Sequence, residues 1–87
     1  GGIAVIRISG EKSFAILEEI LSSTEEKYTP VDIAGYNSHT VHFGYIFDGD
    51  SLVDEVLITV FKQPGTYTGE DIIEISSHGG TFIASKI

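Results

Sequence analysis

Two charges stand alone in apolar surroundings. Arg7 lies within Ile3-Ala4-Val5-Ile6-Arg7-Ile8, and Glu74 lies within Ile72-Ile73-Glu74-Ile75. Burying a charge is costly unless something answers it, and a guanidinium answers a carboxylate well. Two readings of this pair stay open on the residues alone. One is an ion pair between neighbouring strands, since buried charges are usually paired. The other is a pocket for a flat polar ligand. A carboxylate accepts two parallel hydrogen bonds from an amidine-like N–H/NH2 edge, and a guanidinium meets a carboxylate or a carbonyl. Together they suit a heterocycle with a donor edge and an anionic tail.

Glu74 sits in the densest part of the chain, from Tyr67-Thr68-Gly69-Glu70-Asp71 to His78-Gly79-Gly80. Thr68 to Asp71 has turn chemistry: hydroxyl and carboxyl groups that cap local backbone, and a glycine for unusual φ/ψ. Gly79-Gly80 reads as a strand-to-helix corner. The missing side chains would also let a ligand or another chain approach, beside helix N-terminal N–H groups that favour anions.

Other constellations fail simple tests. Ser9-Gly10-Glu11-Lys12-Ser13 follows a strand as a phosphate loop would, but Glu11 stands where the second glycine belongs. His39 and His42 point to opposite faces of a strand, no cysteine assists them, and no helical His pair exists. The expectation is no metal site. Ser76, Ser77 and His78 are adjacent on a strand, so they do not face one another as nucleophile and base. No catalytic residue is assigned, and an independent small enzyme is the weakest reading.

The elements that must position Arg7 and Glu74 follow from periodicity. Ile3, Val5 and Arg7 share one strand face; Ala4, Ile6 and Ile8 share the other. Both faces are largely apolar, which predicts a central strand covered on both sides. Ser9-Gly10 ends it. Glu11 to Leu21 reads as an amphipathic helix, with Phe14, Leu17 and Leu21 at helical spacing and Glu11 suiting the dipole. Ser22 to Gly35 is a long connection containing Pro30, expected to hold some short structure. His39 to Phe47 alternates, with Val41, Phe43, Tyr45 and Phe47 on one side and Thr40, His42 and Gly44 on the other. Asp48-Gly49-Asp50-Ser51 is a hairpin signal, and Leu52 to Phe61 returns antiparallel until Gln63-Pro64-Gly65 breaks it. Ile72 to Ser77 is the next strand, and Thr81 to Ile87 begins a helix with Thr81 as its cap. The sum is an α+β domain: a mostly antiparallel sheet with helices on one side.

Composition sets limits. A chain of 87 residues is one domain, and at this size folding buries only roughly 60% of the unfolded surface. Hydrophobic residues make up 41%, which favours a core over disorder. No apolar run approaches the roughly 20 residues of a membrane span. Five Lys/Arg against thirteen Asp/Glu cannot build a basic stripe, so direct nucleic-acid binding by this chain is not expected. With no cysteine there is neither a disulfide nor a thiolate site, and such a small domain leans on a partner or on more chain. The chain opens on Gly1-Gly2 without methionine and stops at Ile87 in a helical pattern, which reads as a piece of a longer protein.

Gly1-Gly2-Ile3-Ala4-Val5-Ile6-Arg7-Ile8-Ser9-Gly10 resembles the opening GGIGVIRxSG of the MnmE/TrmE family of tRNA-modification GTPases. Tyr67-Thr68-Gly69-Glu70-Asp71, then Glu74 and His78-Gly79-Gly80, is similar to that family's Y/F-T-G-E-D-x-x-E-x-x-x-H-G-G, and Asp54-Glu55 also fits. The chain departs from the pattern in having Gly65-Thr66 before Tyr67 and Ala4 in place of a frequent glycine. The resemblance spans essentially the whole chain. It implies that residues 1–87 are most of the family's N-terminal folate-binding and dimerisation domain, similar in fold to the folate-binding domain of the glycine-cleavage aminomethyltransferase. It implies a homodimer that binds 5-formyltetrahydrofolate or a related one-carbon tetrahydrofolate near the dimer interface, through Arg7 and Glu74, with a further contact outside this sequence. The parent would be a cytoplasmic protein with no membrane association. With the flavoprotein MnmG (GidA) it would form carboxymethylaminomethyl-type uridine at the tRNA wobble position. Its GTP, magnesium and potassium sites lie outside this chain, so the chain by itself is expected to have no GTPase activity. The alternative is a purely structural dimerisation domain in which Arg7 and Glu74 are only an ion pair.

Overall fold

The computed structural model describes residues 3–62, 70–78 and 80–87. Its elements are β1 (Ala4–Ser9), α1 (Glu11–Ile20), β2 (Leu21–Ser22), a short 3-10 turn (Ile33–Gly35), β3 (Thr40–Asp48), β4 (Ser51–Phe61), β5 (Ile72–Ser77) and α2 (Gly80–Lys86). The five strands form one sheet in the order β1-β5-β4-β3-β2, and every neighbouring pair is antiparallel. Both helices pack on one face. Their fully buried Leu17 and Ile83 join Ile8, Ile73, Ile75, Ile58, Val56 and Val60 in a single core. Burying each such aliphatic side chain contributes about 1.5–3 kcal/mol. This is the α+β layout that the strand and helix periods predict.

Local chemistry explains the element ends. Gly10 has φ +92°, a value that L side chains rarely adopt, and it turns the chain from β1 into α1. The hairpin between β3 and β4 closes on Asp48 opposite Ser51, with Gly49 at φ +60°. The connection after α1 is stitched by Ser22, whose buried hydroxyl accepts from the backbone N–H of Thr29 (2.8 Å) and Thr24 (3.2 Å) and lies 2.7 Å from the Thr24 carbonyl. Tyr28 donates its hydroxyl to the Glu18 carbonyl at 2.6 Å, and Glu18 accepts the Ile33 N–H at 3.0 Å. These bonds tie the long connection to α1.

Four expectations need correction. β1 is an edge strand, not a central one, and its Val5 is exposed, as is Ile3 just before it. Its two apolar faces carried no information about strand order, and only one is covered. The helix ends at Ile20. Leu21 is already extended, so its fully buried side chain enters the core from β2. The alternation of β3 breaks at a register shift between Ile46 and Phe47, which turns Phe47 inward while Val41 and Phe43 stay exposed. Thr81 lies inside α2, which begins at Gly80, so it is not the residue before the helix. Gln63, Pro64 and Gly65, read as a break, lie outside the described residues.

Candidate functional site

The sheet has one covered face and one open face, and the strand alternation assigns Arg7 and Glu74 to the open one. β1 and β5 are adjacent, and their register sets Arg7 directly opposite Glu74. The Arg7 Nε and one terminal nitrogen, Nη2, both donate to Oε2 of Glu74, at 3.1 and 2.7 Å. The other carboxylate oxygen, Oε1, makes no hydrogen bond among the described residues. The pair is not buried: the side chains are 66% and 27% exposed. The premise that Glu74 needs an answering charge because it is deep in the core therefore does not hold; the pair faces solvent.

The same registers arrange the open face in rows. Arg7, Glu74, Thr59 and Val41 form one row across four strands. Val5, Ser76, Leu57 and Phe43 form the next. Val5, Leu57, Val41 and Phe43 are all exposed, as is Ile3 at the start of the chain. A charged pair thus borders an uncovered apolar patch, an arrangement that marks interaction surfaces more often than plain solvent-facing sheet.

Other sequence candidates separate. Tyr67, Thr68, Gly69 and Gly79 lie outside the described residues, and Gly80 opens α2. Glu70 and Asp71 line a cavity of about 350 Å³ with Gly10, Glu11 and Phe14. That cavity is bordered by neither Arg7 nor Glu74. His42 stacks on Tyr36 with ring centroids 3.6 Å apart and lies 2.7 Å from the Thr40 hydroxyl, while His39 meets Phe61 edge-on. Both histidines have packing roles, and among the described residues no three His, Cys, Asp or Glu side chains cluster as a metal site would require. Ser77 is buried on the covered face, and its hydroxyl has no hydrogen-bond partner among the described residues. His78 is exposed, so the two do not form a nucleophile and base.

Asp54, named in the sequence only as fitting the family pattern, has a positioning role that the sequence did not assign to it. The Asp54 carboxylate accepts the backbone N–H of His78 at 2.6 Å and that of Glu55 at 2.8 Å, and it lies 3.5 Å from the His78 Nδ1. It pins the chain just after β5 and ahead of α2. The signal was present: an acid at an inward position of an apolar strand, the same kind of mismatch that drew attention to Glu74. Burial also pushes the Tyr36 phenol above its ordinary range.

Among the described residues no helix is long and apolar enough to cross a membrane. The family profile described as "GTP-binding protein TrmE N-terminus" matches residues 1–87. The chain is 47% identical over 87 residues to the tRNA modification GTPase MnmE of Flavobacterium psychrophilum, covering 100% of this chain and 18% of that protein. It is 47% identical to the protein of the same name from Flavobacterium johnsoniae and 46% identical to that from Clostridioides difficile, with the same coverage. The chain therefore spans about 18% of the length of the curated relatives it matches.

Proposed function

This chain belongs to the TrmE N-terminal family, and from that premise we propose that it is a one-carbon-tetrahydrofolate-binding and homodimerisation module of a GTPase that modifies the wobble uridine of tRNA. Residues 1–87 form most of that protein's N-terminal domain. GTP hydrolysis, with its magnesium and potassium, belongs to the rest of the protein, as do the contacts with tRNA and with the flavoprotein MnmG in the cytoplasm. The chain's own role is to hold a folate carbon donor in place.

The observation that carries this reading is the Arg7–Glu74 pair on the open face. A pair that served only to neutralise a core charge would be buried. This one is solvent-facing, and among the described residues Oε1 of Glu74 accepts no hydrogen bond. Small-molecule sites bury most of their ligand, and one flat sheet face supplies only one wall. The exposed Val5, Leu57 and Phe43 beside the pair favour a second protein surface as the other wall, which in this reading is a second copy of the chain. The test is a calorimetric titration with (6S)-5-formyltetrahydrofolate on protein of known oligomeric state. Saturable binding is expected in the wild type and loss of it in Glu74→Gln; undiminished binding in the variant would remove Glu74 from the site.

A second reading is favoured by the ion pair itself. If Arg7 and Glu74 only join β1 to β5, the chain is a structural dimerisation domain whose self-association ignores folate. Sedimentation with and without ligand separates the two, since only the first predicts linkage between ligand and dimer.

A further inference from the structure

We infer that the outer edge of β1 is a strand-addition site, and that it takes as a sixth strand an extended segment of the same longer protein, from outside residues 1–87. The inference stands on the sheet and is independent of the folate-binding reading. β1 ends the strand order, and among the described residues it pairs only with β5. Backbone groups of an antiparallel strand alternate between its two sides, so about half of those in its six residues face outward. Edges of this kind are templates for another strand, and native sheets blunt them with short strands, proline, lysine or bulges. The opposite edge is blunted in that way. β2 has two residues, a bridge joins Ser22 to Pro30, and the Ser22 hydroxyl accepts from the Thr24 and Thr29 amides. β1 carries none of these devices. It has no proline or lysine, and its register with β5 runs unbroken from Ala4 opposite Ser77 to Ser9 opposite Ile72. Its one charge, Arg7, is turned across the sheet onto Glu74.

β1 is also anchored well enough to serve as a template. Ile8 is buried in the core and Ile6 packs against it, so one face of the strand is held while the edge stays open. An added strand makes its main-chain bonds to this edge and sets side chains on both faces of the sheet. On the covered face its neighbours are Ile6 and Ile8; on the open face they are Arg7 and the exposed Val5. The matching segment is therefore a short extended run, free of proline where it pairs, and apolar beside Ile6, Ile8 and Val5. The longer protein is the source because the chain spans about 18% of the length of its relatives, so most of such a polypeptide lies outside this sheet. A segment tethered in the same polypeptide acts at an effective concentration on the order of millimolar. A second copy pairing β1 against β1 has no tether, and it brings together two chains of net charge −8, which repel.

The experiment is amide hydrogen exchange in the full-length protein that carries this chain, read residue by residue across Ala4–Ser9 by mass spectrometry with gas-phase fragmentation. An inner strand protects every amide, whereas an edge strand protects every second one. Uniform slowing is expected, with each amide of β1 exchanging about a hundredfold or more slower than unstructured chain. Alternating fast and slow amides overturn the inference, because the edge is then free in the whole protein. The source of the strand is read from a photoreactive benzoylphenylalanine in place of Ile3, which is exposed and lies just before β1. The expected cross-link joins it to a peptide outside residues 1–87. Cross-links confined to residues 1–87, in the same or a second copy, overturn the inference even where the amides are protected. If that variant does not fold, the probe moves to the exposed Ser9 at the other end of β1, with the same expectation. Neither measurement bears on the folate reading, so the two stand or fall separately.

Discussion

If the Arg7–Glu74 pair exists for ligand rather than for stability, a double-mutant cycle on folding will find it nearly worthless. The magnitude follows from exposure. At 2.7 Å two unit charges in a near-aqueous dielectric attract by roughly 1.5 kcal/mol. Fixing a long guanidinium side chain offsets much of that, since its full rotamer entropy is worth up to about 2 kcal/mol. With side chains 66% and 27% exposed, the net coupling should fall below about 1 kcal/mol and shrink further in high salt. The single variants should be unequal. Arg7→Gln adds to an excess of negative charge that already stands at −8, whereas Glu74→Gln relieves it, so Arg7→Gln should be the more destabilising of the two. The assay is urea unfolding of wild type, both singles and the double, followed by circular dichroism at low and high salt. A coupling above about 2 kcal/mol would refute the reasoning. Values of that size belong to pairs whose loss strands a buried charge, and they would favour the structural reading.

Three further outcomes are expected. In Gly44→Ala the new methyl would lie 2.6 Å from Cδ1 of the fully buried Leu21, with Ile58 and Val56 at 3.6 Å. Overpacking there should cost about 1–3 kcal/mol by urea unfolding, and an unchanged midpoint would show that Leu21 moves freely. Ser22→Ala strips the acceptor from the Thr24 and Thr29 amides, with an expected loss of about 1–3 kcal/mol; hydrogen exchange should accelerate at Thr29, and a protected Thr29 amide would contradict the role given to Ser22. Tyr36 holds its proton to higher pH in the folded state than in the unfolded chain because of burial. Its contribution is fully present below the unfolded value of about 10 and is lost as pH rises through the raised folded value. Tyr36→Phe should therefore flatten the alkaline decline of stability, and an identical decline in the variant would assign it to other groups.

The sequence by itself determined the four longer strands, the two helices apart from their ends, and which residues share a strand face up to the register shift in β3, because side-chain alternation and helical spacing are local properties. It also singled out Arg7 and Glu74, since a lone charge in an apolar strand is visible without a fold. Family membership was legible too, in two motifs at opposite ends of the chain. Strand order was not legible. β1 has apolar residues on both sides, as an inner strand would, yet it lies at the sheet edge beside β5. Alternation says which residues point together but not which face the helices cover, and that choice rests on contacts between residues far apart in the chain. The tertiary structure alone placed Arg7, Glu74, Val5, Leu57 and Phe43 on the uncovered face. It alone turned Phe47 inward at the register shift and set Asp54 against His78. Each of these depends on pairing register between strands, which no single segment encodes.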